Sequence, residues 1–292
     1  MIKKLVTGGA AATAIFGATA LPAPADTLDD IVARGKVVVG VKADFPPWGM
    51  RDAAGRLVGM EHDMAADFAR RLSKAAGKPI AIEKVVVVAS NRMQFLVQGK
   101  TDMFIATMSN KPERRKIVGI VQPGYYSSGV AVLAHRRSGI DGWASLKGRK
   151  ICGIQGAWYN RDHGLRNGAE VIAFKWVAEV EKALLDGRCA GWLYSDSAFV
   201  ARKVNAPKTW AGFDIATPIV DNVPWGAAVR KEDLDGRLGR MLSAAIVDWH
   251  KSGFLIALEK KWGIPATRWL ADMRRKCLAG DTVCDGKYDP GE

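Results

Sequence analysis

The sequence predicts an α/β protein made of two α/β lobes with a cleft between them. Three observations carry this. Short β-rich runs alternate with stretches of helical periodicity, and the alternation happens twice along the chain. Each series is followed by a long apolar stretch with no helical spacing, the form of a strand crossing between units. The composition agrees, since 48% of the 292 residues are apolar and 25% charged, enough to bury two ordinary cores and too ordered a mixture for a disordered or repetitive chain.

In the first series, Val37 to Val41 reads as a buried strand, Asp63 to Lys74 as a helix with Met64, Phe68 and Leu72 on one face, and Ile80 to Val88 as a second strand. Arg92 to Val97 is a short helix and Met103 to Thr107 a third strand. β-α-β-α order implies a mostly parallel sheet covered by helices. The extended stretch Tyr126 to His135 follows. The second series runs through a strand at Lys150 to Ile154, a helix at Val177 to Leu185, a strand at Gly191 to Tyr194 and a helix at Ser197 to Val204. Trp225 to Arg230 is the second extended crossing, and amphipathic helices occupy Leu234 to Trp262. Ligands of open α/β sheets sit beyond the carboxyl ends of strands, so residues after Val41, Ile105, Ile154 and Tyr194 are site candidates.

The first segment sets the compartment. Lys3 and Lys4 precede an uncharged small and apolar run from Leu5 to Leu21, and Ala23-Pro24-Ala25 offers the small residues a signal peptidase reads, so residues 1–25 are expected to be a cleaved export signal. The rival reading, a membrane anchor, is weakened by the alanine and glycine content of the run. Formal net charge is +13, spread along the chain; in an exported protein this points to a basic surface or a few cations gathered on an anion, not to nucleic acid. An oxidising compartment favours disulfides. Cys277 and Cys284 are the local pair, leaving Cys152 with Cys189 to close a loop worth roughly 4 kcal/mol in the chain-entropy model. The four histidines show no zinc-ligand spacing with these cysteines, so no metal or other cofactor is expected.

Enzyme motifs mostly fail. There is no H-E-x-x-H, G-x-S-x-G or G-x-G-x-x-G after a strand, and Gly99-Lys100-Thr101 lacks the first glycine of a phosphate loop because Gln94 stands there. The informative segment is Thr107-Met108-Ser109-Asn110-Lys111-Pro112-Glu113-Arg114, which leaves a strand and opens a helix with Pro112 in its first turn. Hydroxyls of Thr107 and Ser109, free backbone N–H groups and the Arg114 guanidinium can converge there on one anion; a capped helix with a surface arginine is the alternative.

From Leu28 to Gly263 the chain resembles the family 3 solute-binding proteins, periplasmic receptors that feed amino acids to ABC importers. The resemblance rests on Gly35 to Trp48 (GKVVVGVKADFPPW), Gly59-Met60-Glu61-His62-Asp63-Met64, Asn91-Arg92, Gly99-Lys100-Thr101-Asp102, Thr107 to Arg114, Tyr125-Tyr126, Leu146-Lys147-Gly148, Tyr194-Ser195-Asp196-Ser197 and Trp225-Gly226. It implies a periplasmic-binding-protein type II-like fold, with lobe 1 formed by 26–129 and 230–276, lobe 2 by 130–229, and a disulfide-closed tail at 277–292. It also implies a monomer that binds an amino acid and docks on an inner-membrane permease.

At matching positions, Arg114 is expected to clamp the ligand α-carboxylate with Thr107 and Ser109, Asp196 to take the α-ammonium, and Phe45 to wall the ligand. Lys42 and Arg92 match positions that contact the side-chain carboxylate in the aspartate- and glutamate-binding branch. These three cations against Asp196 leave +2, which suits an acidic amino acid. One departure stands out: where the family commonly has Gln-Gly-Thr-Thr, this chain has Gln155-Gly156-Ala157-Trp158, so hydroxyls are lost and Trp158 enters the cleft. The alternative function is a cyclohexadienyl dehydratase-like enzyme on the same scaffold, which needs a general acid; Glu61 and Asp196 are its nearest candidates.

Overall fold

The computed structural model describes residues 26–286. The expected export signal (1–25) and the last part of the expected tail (287–292) lie outside the described residues. In chain order the elements are α1 (Thr27–Arg34), β1 (Lys36–Val41), β2 (Asp44–Phe45), β3 (Gly49–Arg51), β4 (Leu57–Val58), α2 (Met60–Ala76), β5 (Ala81–Val86), α3 (Arg92–Val97), β6 (Met103–Ser109), α4 (Pro112–Arg115), β7 (Gly119–Ile120) and β8 (Tyr126–His135). There follow β9 (Lys150–Ile154), β10 (Glu170–Phe174), α5 (Val177–Leu185), β11 (Gly191–Ser195), α6 (Asp196–Asn205), β12 (Phe213–Ile215), β13 (Val220–Val229), α7 (Arg237–Ser252), α8 (Phe254–Lys261) and α9 (Arg268–Ala279).

The large sheet runs β10-β9-β11-β8-β13-β6-β1-β5. At one end β5, β1 and β6 are parallel, and at the other β10, β9 and β11 are parallel. Between them lie β8 and β13, the two expected crossings, antiparallel to each other and to their outer neighbours. The apolar runs read from the sequence become these central strands because both faces are covered: β6 is buried for six of its seven residues and β8 for nine of ten. Helix α2 lays Met64, Phe68 and Leu72 on the core, as its spacing predicts. Gly59 starts that helix at φ 132°, where a Cβ would stand 2.4 Å from the Trp48 carbonyl oxygen, so no larger residue fits there.

The start of α2 places Glu61 under the end of β6. There Ile105, Ala106 and Thr107 of β6 stand opposite Ala227 alone, a bulge that turns backbone groups out of the ladder. Thr107 takes φ 48°, left-handed for a β-branched residue. Its N–H donates to Glu61 Oε1 at 2.7 Å and is shared with the Tyr125 hydroxyl at 2.9 Å, while the Tyr125 hydroxyl itself donates to Glu61. The freed Ala106 carbonyl accepts from the Arg92 guanidinium. Burial lifts the Glu61 carboxyl from the ordinary 4.5 to about 7, opposed by its hydrogen bonds to Tyr125 and Thr107.

Both cysteine pairs are joined as the spacing suggested. Cys152 on β9 bonds Cys189 just before β11, with Cα atoms 5.6 Å apart, and Cys277 on α9 bonds Cys284 at 5.3 Å. Replacing Cys152 and Cys189 together by alanine, which opens a separation of 37 residues, is expected to lower the unfolding free energy in urea by about 4 kcal/mol. A second expectation concerns Glu61. Its folded pKa lies above the unfolded one, so the stability it contributes is complete below about 4.5 and is lost as pH rises to about 7. Glu61→Gln keeps the acceptor for both donors, so urea titrations should show a flatter stability profile between those pH values and no loss at pH 8. An unchanged slope would contradict the buried carboxyl as its source.

Candidate functional site

Carboxyl ends of parallel strands from both ends of the sheet meet over one pocket, as the topology requires. β1 delivers Lys42 and, after it, Phe45; the turn after β5 delivers Ala89 and Arg92; β6 delivers Thr107 and Ser109, with Arg114 on α4 beyond. From the other half, the chain after β9 brings Ile154, Ala157, Trp158 and Tyr159, and β11 brings Tyr194 and Ser195. Seven of the eight expected ligand residues (Lys42, Phe45, Arg92, Thr107, Ser109, Arg114 and Trp158) therefore line a single cavity.

The halves are drawn tightly together. Arg114 donates across the gap to the Gly156 carbonyl at 3.4 Å, Trp158 Nε1 donates to Ser109 Oγ at 3.2 Å, and Lys111 Nζ lies 4.1 Å above the Trp158 ring. The rings of Phe45 and Tyr194 are 5.1 Å apart. Gly156, at φ +78°, comes so near that a Cβ there would be 2.7 Å from Ser90 Cα. The space left is about 30 Å³, room for a water but not for an amino acid.

Its charge is one-sided. Lys42 is buried and pairs with Asp44 at 2.7 Å; burial lowers its pKa and the carboxylate opposes that. Arg92 is buried too, with its pKa lowered by burial, and its Nε has no hydrogen-bond partner. Burial and the neighbouring Arg92 push Arg114 down to about 9, still charged at neutral pH; its Nη1 donates to the Ser109 carbonyl at 3.1 Å. Two guanidiniums thus share the pocket without a carboxylate lining it, among the described residues. Guanidiniums so placed have the chemistry to hold an anion.

Asp196 is not brought into this set. Its Oδ1 accepts from Ser128 Oγ at 2.7 Å and from the Gly129 N–H at 2.8 Å, and it lines a separate pocket of about 340 Å³ with Tyr126, Asn222 and Arg268. The reason is local: Ser195 ends β11 at the N-cap position of α6, so Asp196 is the first residue of the helix, where Ser128 and Gly129 hold its carboxylate in the other pocket. Helix α4 also differs from expectation. It has only four residues, so the anion site there owes more to the Arg114 guanidinium than to a helix end. Trp225 is a core residue, packed at 5.1 Å on Tyr126 and 5.6 Å on Trp48. Sequence reading reached Ser195 only through its place just after Tyr194 and did not name Tyr159 or Tyr194 as pocket residues; the position of Tyr194 at the end of a strand was the signal available. Glu61, considered there as a general acid, sits behind Thr107 and does not line the cavity.

The sequence profile of the bacterial extracellular solute-binding proteins, family 3, matches residues 37–265. Among curated proteins, the chain is 27% identical to the ABC transporter glutamine-binding protein GlnH of Bacillus subtilis, over 81% of this chain and 84% of that one. It is 22% identical to the glutamate/aspartate import solute-binding protein of Salmonella typhimurium, over 82% and 80%. These named relatives are binding proteins, not enzymes. Among solved structures, a mutant of the arginine-binding protein ArgBP from T. maritima superposes with a TM-score of 0.72 at 26% identity, covering 81% of this chain and 98% of that one. The L-cysteine solute receptor of Neisseria gonorrhoeae gives 0.72 at 25%, covering 82% and 94%. The match spans both parallel series and both crossings, and with it this chain belongs to the bacterial extracellular solute-binding proteins of family 3.

Proposed function

We propose that this protein is a periplasmic receptor that captures a small acidic solute between its two halves and hands it to an ABC importer. The observation that carries the reading is the pair of buried guanidiniums, Arg92 and Arg114, converging on one interlobe cavity with hydroxyls of Thr107 and Ser109 beside them. Arg114 holds a carboxylate in bidentate fashion, and Arg92, with its free Nε, takes a second negative group. Acidic amino acids and closely related carboxylates are the solutes of this chemistry. The names of the relatives, receptors for glutamine and for glutamate and aspartate, support solutes of that size.

The cavity is too small for such a solute as it stands, so admission requires the halves to part, 26–129 and 230–276 moving against 130–229 as hinged bodies. Closure then removes water from the ion pairs and strengthens them. Export follows from the segment before Asp26, and the receptor acts as a monomer docking on its permease. The dehydratase alternative gains nothing from the geometry, because neither Glu61 nor Asp196 lines the cleft.

A thermal-shift screen against acidic amino acids and small dicarboxylates should raise the melting temperature, and Arg114→Ala should weaken binding of the hit at least tenfold, about 1.4 kcal/mol, in calorimetry. Unchanged affinity in that variant would overturn the site. Conversion of prephenate or arogenate to product would overturn the receptor reading.

A further inference from the structure

We infer that the solute is a small organic acid with two negative charges and no ammonium group, a dicarboxylate in place of an amino acid. The inference rests on the receptor reading above and narrows it to a substrate class.

A zwitterion needs a partner for each end. The positive half of this cleft is plain: among the described residues no carboxylate forms an ion pair with Arg92 or Arg114, which feel Glu61 and Glu113 only through space, and Lys42 is paired with Asp44 at 2.7 Å. Among the described residues, the opposite wall offers no anion. The second half contributes Tyr159, Tyr194 and Ser195 as polar groups, none of them charged at neutral pH. The carboxylate that could have received an ammonium, Asp196, is one residue further on, bonded to Ser128 Oγ and to the Gly129 N–H on the far side of the crossing strand. Glu61 is close to Arg92 and Lys42 in charge but lies behind the Thr107 backbone, where it holds β6.

An ammonium brought into this space would be a third unpaired cation in a site without bulk water, and like charges so placed are strongly unfavourable. A second carboxylate reverses the sign of the same interaction, pairing with Arg92, whose buried Nε has no partner. Hydroxyls of Tyr159, Tyr194 and Ser195 can donate to the remaining carboxylate oxygens.

The test uses matched pairs that differ only in the α-amino group: succinate against L-aspartate and glutarate against L-glutamate, by calorimetry on the purified protein. The diacid of at least one pair should bind ten times more tightly than its amino acid. A smaller preference, or the reverse one, overturns this inference and leaves the receptor reading in place. No binding of any of the four to cooperatively folded protein overturns both. Two variants separate position 195 from position 196. Asp196→Asn keeps both hydrogen bonds at Oδ1 and should hold diacid affinity within twofold, whereas an ammonium-receiving carboxylate would be revealed by selective loss of the amino acid. Ser195→Asp puts a carboxylate on the cleft wall and should shift the ratio toward the amino acid at least tenfold; an unmoved ratio counts against the assignment.

Discussion

Two guanidiniums buried beside one another are an unfavourable arrangement until an anion joins them, and much of the fold can be read as holding them there. Burial strips hydration from Arg92 and Arg114, and each raises the cost of charging the other. The protein offsets part of this with backbone carbonyls: Ala106 accepts from Arg92, and Ser109 and Gly156 accept from Arg114. Those carbonyls are available because β6 bulges and because Gly156 adopts a left-handed turn against Ser90. The bulge in turn depends on Glu61, which takes the displaced Thr107 N–H. Sequence features far apart, Gly59 starting α2 and Gly156 after β9, thereby serve a single electrostatic requirement.

The sheet architecture explains why the cations meet at all. Parallel strands deliver their carboxyl ends to one side, and the antiparallel pair β8 and β13 brings the second series round to face the first. Each half then supplies a different kind of surface: cations and hydroxyls from one, aromatic rings and neutral hydroxyls from the other. In the proposed receptor, selectivity for the sign of the solute resides in the first half. Shape, through Trp158, Tyr159 and Tyr194, resides in the second.

Most of this frame is legible in the sequence because buried parallel strands read as apolar runs, and β1, β6, β8, β9 and β11 all do. β10 escaped although Val171-Ile172-Ala173-Phe174 is an apolar run, because only Lys175 and Trp176 separate it from helix α5 and the run merges with that helix's apolar start; as an edge strand it has none of its residues fully buried. The arginines were legible through motif order. Asp196 lies in the other pocket for a physical reason: the strand ends at Ser195, and the first residue of α6 places its carboxylate on Ser128 Oγ and the Gly129 N–H of β8. Motif resemblance fixes order along the chain but not which partners a side chain meets at a strand-to-helix turn. Glu61 enters the sequence reading only as a general-acid candidate, since nothing in a linear pattern signals that its carboxylate supports a bulge in a strand more than forty positions later.

The crossing strand β13 changes register twice, between Val220 and Val223 against β8 and between Gly226 and Ala228 against β6. Such irregularities bend the strand and increase its local twist. In the proposed opening of the cleft, the two crossing strands β8 and β13 connect the moving halves, and these two places interrupt the regular pairing of β13. A joint that keeps both strands paired across it suits a carrier that must surrender its cargo and be ready for the next.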